Sequence, residues 1–161
     1  MTALAYREFV RPGEHAWEEY LGHIADVEGR ADRTLVLVAV EEGRILGSAT
    51  LELDVRVEPE DDPPLAPDES HIRMLGVDPG ARGRGVARAL LDACFDEARA
   101  LGKGRMSLHT TERMRTAQAM YERLGFEHAP DRVFPDGFVL LSYEKPLGDG
   151  PGAGSGRAAS A

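Results

Sequence analysis

The apolar positions of the chain fall into a readable succession of helices and strands. Trp17, Tyr20, Leu21, Ile24 and Val27 recur at helical spacing, which predicts an amphipathic helix over about 14–29. Residues 34–40 (TLVLVAV) form an unbroken apolar run of strand length, and Glu41-Glu42-Gly43-Arg44 reads as a turn. Over 45–55 the pattern alternates, with Leu51, Leu53 and Val55 on one side and Glu52 and Asp54 on the other. Together these segments predict a β-hairpin. Residues 70–77 predict a strand that stops at Asp78-Pro79-Gly80. Val86, Leu90, Cys94, Ala98 and Leu101 then form one stripe of a long helix over 84–101, closed by Gly102. A strand over 105–110 and a helix over 113–124 follow, the helix burying Ala117, Met120, Tyr121 and Leu124 and ending at Gly125. Residues 126–128 and 137–145 read as the last two strands. The alternation in the second half points to a mixed α/β sandwich.

Length and composition fit one soluble domain. The chain has 161 residues, 42% apolar and 29% charged, enough to bury a core without disulfides or metal. The single cysteine, Cys94, rules out a disulfide framework and a cysteine zinc site, and no metal ligand set is expected. Cys94 lies on the core stripe of the long helix and reads as a small hydrophobe. No apolar run approaches the ~18 residues of a membrane span, and no signal pattern opens the chain. The expectation is a cytoplasmic protein, monomer or homodimer, with a domain over 1–147 and a disordered Gly/Ala/Ser-rich tail over 148–161.

Charge divides the chain. It carries 28 acidic and 19 basic residues, a net −9, which argues against nucleic acid or an anionic membrane as the main partner. The window 52–69 holds eight acids and one base, so it supplies seven of the nine excess negatives. Pro59, Pro63, Pro64 and Pro67 make much of that window a loop. Arg82, Arg84 and Arg88 run the other way, with no acid between them.

Those arginines sit in the most informative segment. A strand ends, DPGARGRGVA follows, and a long helix opens. Gly83 and Gly85 let the backbone approach a ligand, and the free N–H groups of the helix start make an anion site. A dinucleotide fingerprint fails because Arg88 stands at its third glycine, and no Walker Gly-Lys-Ser/Thr is present.

Arg82-Gly83-Arg84-Gly85-Val86-Ala87 instead resembles the R/Q-x-x-G-x-G/A pyrophosphate motif of the GCN5-related N-acetyltransferase (GNAT) family. Two further stretches agree with it. Arg73-Met74-Leu75-Gly76-Val77-Asp78-Pro79 resembles the family's fourth strand. Ala117 with Tyr121-Glu122-Arg123-Leu124-Gly125-Phe126 resembles the later helix, which typically ends Tyr-Glu-x-Leu-Gly-Phe. The resemblance covers roughly 33–145.

The resemblance implies a mixed, mostly antiparallel central sheet flanked by helices. It implies acetyl-CoA as co-substrate and a small-molecule or peptide amine as acceptor, joined by direct attack in a ternary complex. By the same transfer, backbone N–H groups over 84–87 hold the pyrophosphate, with Arg82, Gly83 and Arg88 around them. Leu75, Gly76 and Val77 lie along the pantetheine arm, where the strand splays from 105–110. A backbone N–H near Val77 steadies the oxyanion, and Tyr121 faces the departing sulfur. The base stays open between His71, Glu69 on the same strand face, and water. His109 reads as a rim histidine bonded locally. Met114 stands where many relatives have an asparagine that contacts the cofactor. The family usually begins with a strand. Here 2–9, with Leu4, Ala5 and Phe9 at helical spacing, reads as the end of the first helix. The usual first strand is therefore expected to be absent, leaving 34–40 with an exposed edge. The acceptor would be read by 14–29, by 128–137 and by the acidic loop over 56–69, placed near its entrance. The alternative is a non-catalytic acyl-CoA sensor on the same fold.

Overall fold

A computed structural model describes residues 1–54 and 63–148. Half of the acidic loop and nearly all of the C-terminal tail lie outside the described residues.

The chain opens with α1 (Thr2–Tyr6) and a 3-10 turn, followed by α2 (His15–Ala25) and α3 (Glu28–Ala31). The hairpin is β1 (Leu35–Glu41) and β2 (Arg44–Glu52), and β3 spans Glu69–Val77. Then come α4 (Val86–Ala100), β4 (Arg105–Thr110), α5 (Arg115–Arg123), β5 (Glu127–Val133) and β6 (Val139–Pro146). The strands form one six-stranded sheet in the order β1-β2-β3-β4-β6-β5. Among the described residues only the β3–β4 pair is parallel, because α4 carries the chain back across the sheet. Residues 2–9 are helical as expected, and among the described residues no strand pairs with the outer edge of β1.

The core lies between the sheet and the helices α4 and α5. Leu90, Leu91, Cys94 and Ala98 of α4 pack with Leu51, Ile72, Met106 and Leu108 of the sheet. Two glycines set how closely helices approach. A Cβ on Gly47 would lie 2.9 Å from Val86 Cγ1, so Gly47 is what lets α4 lie down on β2. A Cβ on Gly76 would lie 2.9 Å from Thr2 Cγ2, so Gly76 admits α1 against β3.

The expected helix over 14–29 is two helices. Asp26 interrupts it by accepting the Gly29 N–H at 2.9 Å, which starts α3. Arg30, only 2% exposed, then donates to the carbonyls of His23, Ile24 and Asp26 at the end of α2, and to Thr50 Oγ1. A cation on carbonyls left over at a helix C-terminus satisfies them and complements the helix dipole. β2 ends at Glu52, short of the expected 55. Glu52 itself is fully buried rather than on a solvent side, opposite His71 and 3.6 Å from Arg73. Burying a carboxylate is tolerable when a guanidinium accompanies it.

Candidate active site

β3 separates from β4 partway along its length. The pairing runs from Glu69 opposite Arg105 to Ile72 opposite Leu108 and then stops, although β3 continues to Val77. On the other side, β2 follows β3 through a bulge. Ser48 faces Gly76 and Thr50 faces Arg73, so Met74 and Leu75 oppose one residue. Met74 accommodates the extra residue with φ +51°, a left-handed conformation unusual for a side chain this size. A strand bent away from its neighbour leaves a wedge with backbone groups at its lip.

A cleft of about 660 Å³ opens beside this wedge. Its floor includes His71, Ile72, Arg73 and Met74 of β3 and His109 and Thr110 of β4. Tyr6, Trp17 and Tyr20 form one aromatic wall, with Tyr20 packed edge-on to the other two at ring separations of 6.2 and 5.9 Å. Phe134 and Phe138, 5.7 Å apart, line the cleft from the β5–β6 connection. Arg113 spans part of the mouth, donating to both carboxylate oxygens of Glu14 and to the Phe9 carbonyl.

His71 is 2% exposed and joined to a polar file. Its Nδ1 is 2.7 Å from Ser107 Oγ, and Ser107 donates to Glu69 Oε1 at 2.6 Å. Glu69 Oε2 accepts from Arg105 and from the Ala66 N–H. His109 lies beside His71, with ring centroids 4.9 Å apart, and its Nδ1 is 3.0 Å from Ser142 Oγ. His71 and Glu69 share a strand face but not a cavity. Glu69 lines a second cleft of about 320 Å³ together with Ser107 and Glu144, and it does not line the first.

Tyr121 is 6% exposed, with its ring against Phe126 and Tyr143. Burial, and next Tyr20, push its phenol well above the usual range, so it stays protonated. It is not among the residues that line the cleft. Cys94 is a buried free thiol whose pKa burial raises to about 12, which fits a core residue and not a nucleophile. Met114 lines the cleft just before α5.

The glycine-rich loop lies between β3 and α4. Gly83 and Gly85 take φ values of +73° and +80°, and Gly85 is the N-cap of α4 with no side-chain cap. A Cβ on either glycine would meet nothing within 4 Å. The helix start therefore presents backbone N–H groups beside open space, a setting suited to phosphate oxygens. The three arginines do not supply unbalanced charge. Arg82 bonds Glu8 at 2.6 Å, Arg84 bonds Glu41 at 2.6 Å and Arg88 bonds Asp92 at 2.9 Å. Gly76, which the family resemblance sets along the pantetheine arm, packs against α1.

Several residues here carried little sequence signal. Ser107 and Glu52 looked like ordinary strand residues, and Arg73 and Met74, though part of the stretch that resembles the family's fourth strand, gave no hint of an ion pair or a bulge. Tyr20 lay within the stretch 14–29 expected to read the acceptor, and Tyr6 was not singled out.

A splayed parallel pair, a bulged strand and a glycine-capped helix define an acyl-CoA type of transferase fold. Residues 1–126 match the Acetyltransferase (GNAT) family, and the chain belongs to that family. It is 32% identical to a mycothiol acetyltransferase of Geodermatophilus obscurus over 121 residues, which is 74% of this chain and 38% of that one. A second mycothiol acetyltransferase, from Beutenbergia cavernae, is 49% identical over 55 residues, 34% of this chain and 18% of that one. The chain thus spans well under half the length of these two relatives. An IAA acetyltransferase of Azospirillum brasilense is 28% identical over 78% of this chain and 76% of its own. Among solved structures, a GNAT-family acetyltransferase of Staphylococcus aureus superposes with a TM-score of 0.64 at 18% identity, covering 90% of this chain and 87% of that one. A putative acetyltransferase of Salmonella typhimurium, solved with its cofactor acetyl-CoA, superposes with a TM-score of 0.58 at 23% identity, covering 83% and 75%. At these identities the superpositions establish the fold. Among the described residues no helix is long and apolar enough to cross a membrane, and no cluster of three or more metal-ligating side chains occurs.

Proposed function

We propose that the protein is an acetyl-CoA-dependent N-acetyltransferase that acetylates a primary amine by direct attack. The observation that carries this reading is the wedge between β3 and β4 with the histidine-floored cleft beside it. Backbone N–H groups over 84–87 and the α4 dipole hold the pyrophosphate of the donor. Leu75 to Val77 line its pantetheine arm, and an N–H at the bulged end of β3 steadies the oxyanion. The donor, when bound, supplies the activated acetyl group.

His71 acts as the base that takes the ammonium proton. Ser107 has one proton to give, and the 2.6 Å contact commits it to Glu69. Ser107 Oγ then accepts Nδ1–H from His71, which leaves the lone pair on Nε2. Glu69 acts through Ser107 rather than directly. Tyr121, kept protonated by burial, donates a hydrogen bond toward the leaving sulfur.

The acceptor is an amine on an apolar or aromatic body, small enough for a cleft walled by Trp17, Tyr20, Phe134 and Phe138. Glu112 and Asp136, also at the cleft, favour a cation over an anion. The setting is cytoplasmic, where acetyl-CoA is available.

Thiol release from acetyl-CoA against a panel of arylalkyl amines, amino sugars, polyamines and peptides tests this reading, with product masses raised by one acetyl group. Stabilisation by CoA without thiol release from any amine would point instead to a sensor. Stabilisation by NAD or ATP and not by CoA would overturn the acyl-CoA reading altogether.

A further inference from the structure

His71 lines the acceptor cleft, Glu69 lines the second cleft, and Ser107 touches both residues. The contacts are short and directional, and each side chain is at least nine-tenths buried. Glu69 is itself held in place by Arg105 and by the Ala66 N–H on its other oxygen. This file is more elaborate than strand packing needs, because alanine or valine at 107 would fill a buried strand position without a hydroxyl to satisfy.

We propose that Ser107 and Glu69 are positioning residues for His71. They hold its imidazole in the Nδ1–H tautomer, which makes Nε2 the proton-accepting nitrogen, and support the imidazolium formed during the reaction. The proposal rests on His71 being the base. In the step concerned, the N–H bond of the substrate ammonium breaks and an Nε2–H bond forms on His71. The positive charge moves with the proton onto the ring. The Nδ1 proton stays on His71, hydrogen-bonded to Ser107, whose own proton stays directed at the Glu69 carboxylate. The freed amine pair is then available for attack. A carboxylate two hydrogen bonds away stabilises the cation without taking its proton.

The other titratable groups around His71 are Glu52 from β2, Arg73 from β3 and His109 from β4, with Tyr6 and Tyr20 lining the same cleft from the helices and Arg105 of β4 bonded to Glu69. S107A leaves these groups and the Arg105–Glu69 ion pair in place, so its effect reports the Ser107 link, whereas E69Q also removes the charge that Arg105 pairs with.

The experiment compares H71A, S107A, S107T and E69Q in the full chain. It uses acetyl-CoA with whichever amine the thiol-release panel identifies. S107A is expected to lower kcat roughly ten- to a hundred-fold, part of what general-base catalysis supplies, with KM for acetyl-CoA within about two-fold. E69Q keeps an acceptor for Ser107 but removes the charge. It should move the acidic limb of the kcat profile to lower pH, because the imidazolium loses support. S107T should restore most of the rate. Histidine 15N spectra should show Nδ1 protonated and Nε2 unprotonated in the parent at alkaline pH, and a mixture of tautomers in S107A. Wild-type kcat, an unmoved acidic limb and an unchanged tautomer in S107A and E69Q would overturn the proposal while leaving His71 as base if H71A is inactive. Full activity of H71A would overturn both the base assignment and the positioning role. Stabilisation of each variant by CoA serves as the control for folding.

Discussion

Ile72 and Leu108 are the last residues to face each other across β3 and β4. Beyond them β3 bends at Met74 and is backed by α1, which rests on Gly76. The shape of the wedge therefore depends on a helix of only five residues lying flush on a glycine. Gly76→Val would drive a side chain into Thr2 and Ala5 and lift that helix. A cost of about 1–3 kcal/mol is expected, lowering Tm by about 2–12 °C for a domain of this size. Because Tyr6 of α1 lines the cleft and Gly76 lies in the stretch proposed for the pantetheine arm, KM should rise for the acceptor and for acetyl-CoA alike. Thermal melts and initial rates on one preparation measure both effects.

Tyr121 offers a cleaner chemical test. Tyr121→Phe keeps the ring contacts with Phe126 and Tyr143 and removes only the hydroxyl. A fall in kcat of about ten- to a hundred-fold with an unchanged melting temperature is expected if the phenol serves the leaving sulfur. Burial holds this phenol above its ordinary range, so it does not ionise at working pH. The alkaline limb of the rate profile should therefore stay where it is in the variant. An unchanged kcat would make Tyr121 a packing residue.

Much of this arrangement was legible in the sequence, and the reasons are local. Val86, Leu90, Cys94 and Ala98 repeat at helical spacing, and Gly102 stops the run, so α4 was visible. The glycine-rich loop was visible because left-handed turns require glycine at 83 and 85. What escaped depends on contacts between distant segments. Glu52 looked like the polar side of a hairpin, yet it is buried because β3 brings Arg73 beside it. Met74 carries a left-handed backbone that nothing in its residue type announces. Ser107 is an unremarkable strand serine until β3 places His71 and Glu69 on either side of it. The loop arginines looked ready for phosphate because Glu8 and Glu41, their partners, lie 74 and 43 residues away in the sequence.

Those ion pairs lead to a prediction about the donor site. Arg82 and Arg84 are exposed and already balanced, so single alanine variants should raise KM for acetyl-CoA only about two- to three-fold. Gly85→Ala should do more. The new Cβ has room, but φ +80° costs an L-residue roughly 1–2 kcal/mol, and relaxing it turns the N–H groups away from the phosphates. A rise in KM of about ten-fold or more is expected, with kcat at saturating donor little changed. A larger effect from the arginines than from Gly85 would move the anion site from backbone to side chains.

Glu14 and Arg113 tie the start of α2 to the connection between β4 and α5, beside the cleft proposed for the acceptor. The two Arg113 hydrogen bonds, then the Arg11 N–H, hold the Glu14 carboxyl down at about 2 against an ordinary 4.5. A carboxyl whose folded pKa is depressed contributes stability that is present above its unfolded pKa and lost as pH falls through the folded one. The strap should accordingly be intact above about pH 4.5 and release as pH falls toward about 2. Glu14→Gln should melt below the parent at neutral pH, and the two melting curves should converge at the acid end of that window. Both partners are reachable by solvent, so added salt should shrink the difference. If the strap also shapes the cleft, Arg113→Ala should raise KM for the acceptor while leaving KM for acetyl-CoA unchanged. An equal rise in both would mean that the pair supports the fold and not the acceptor site.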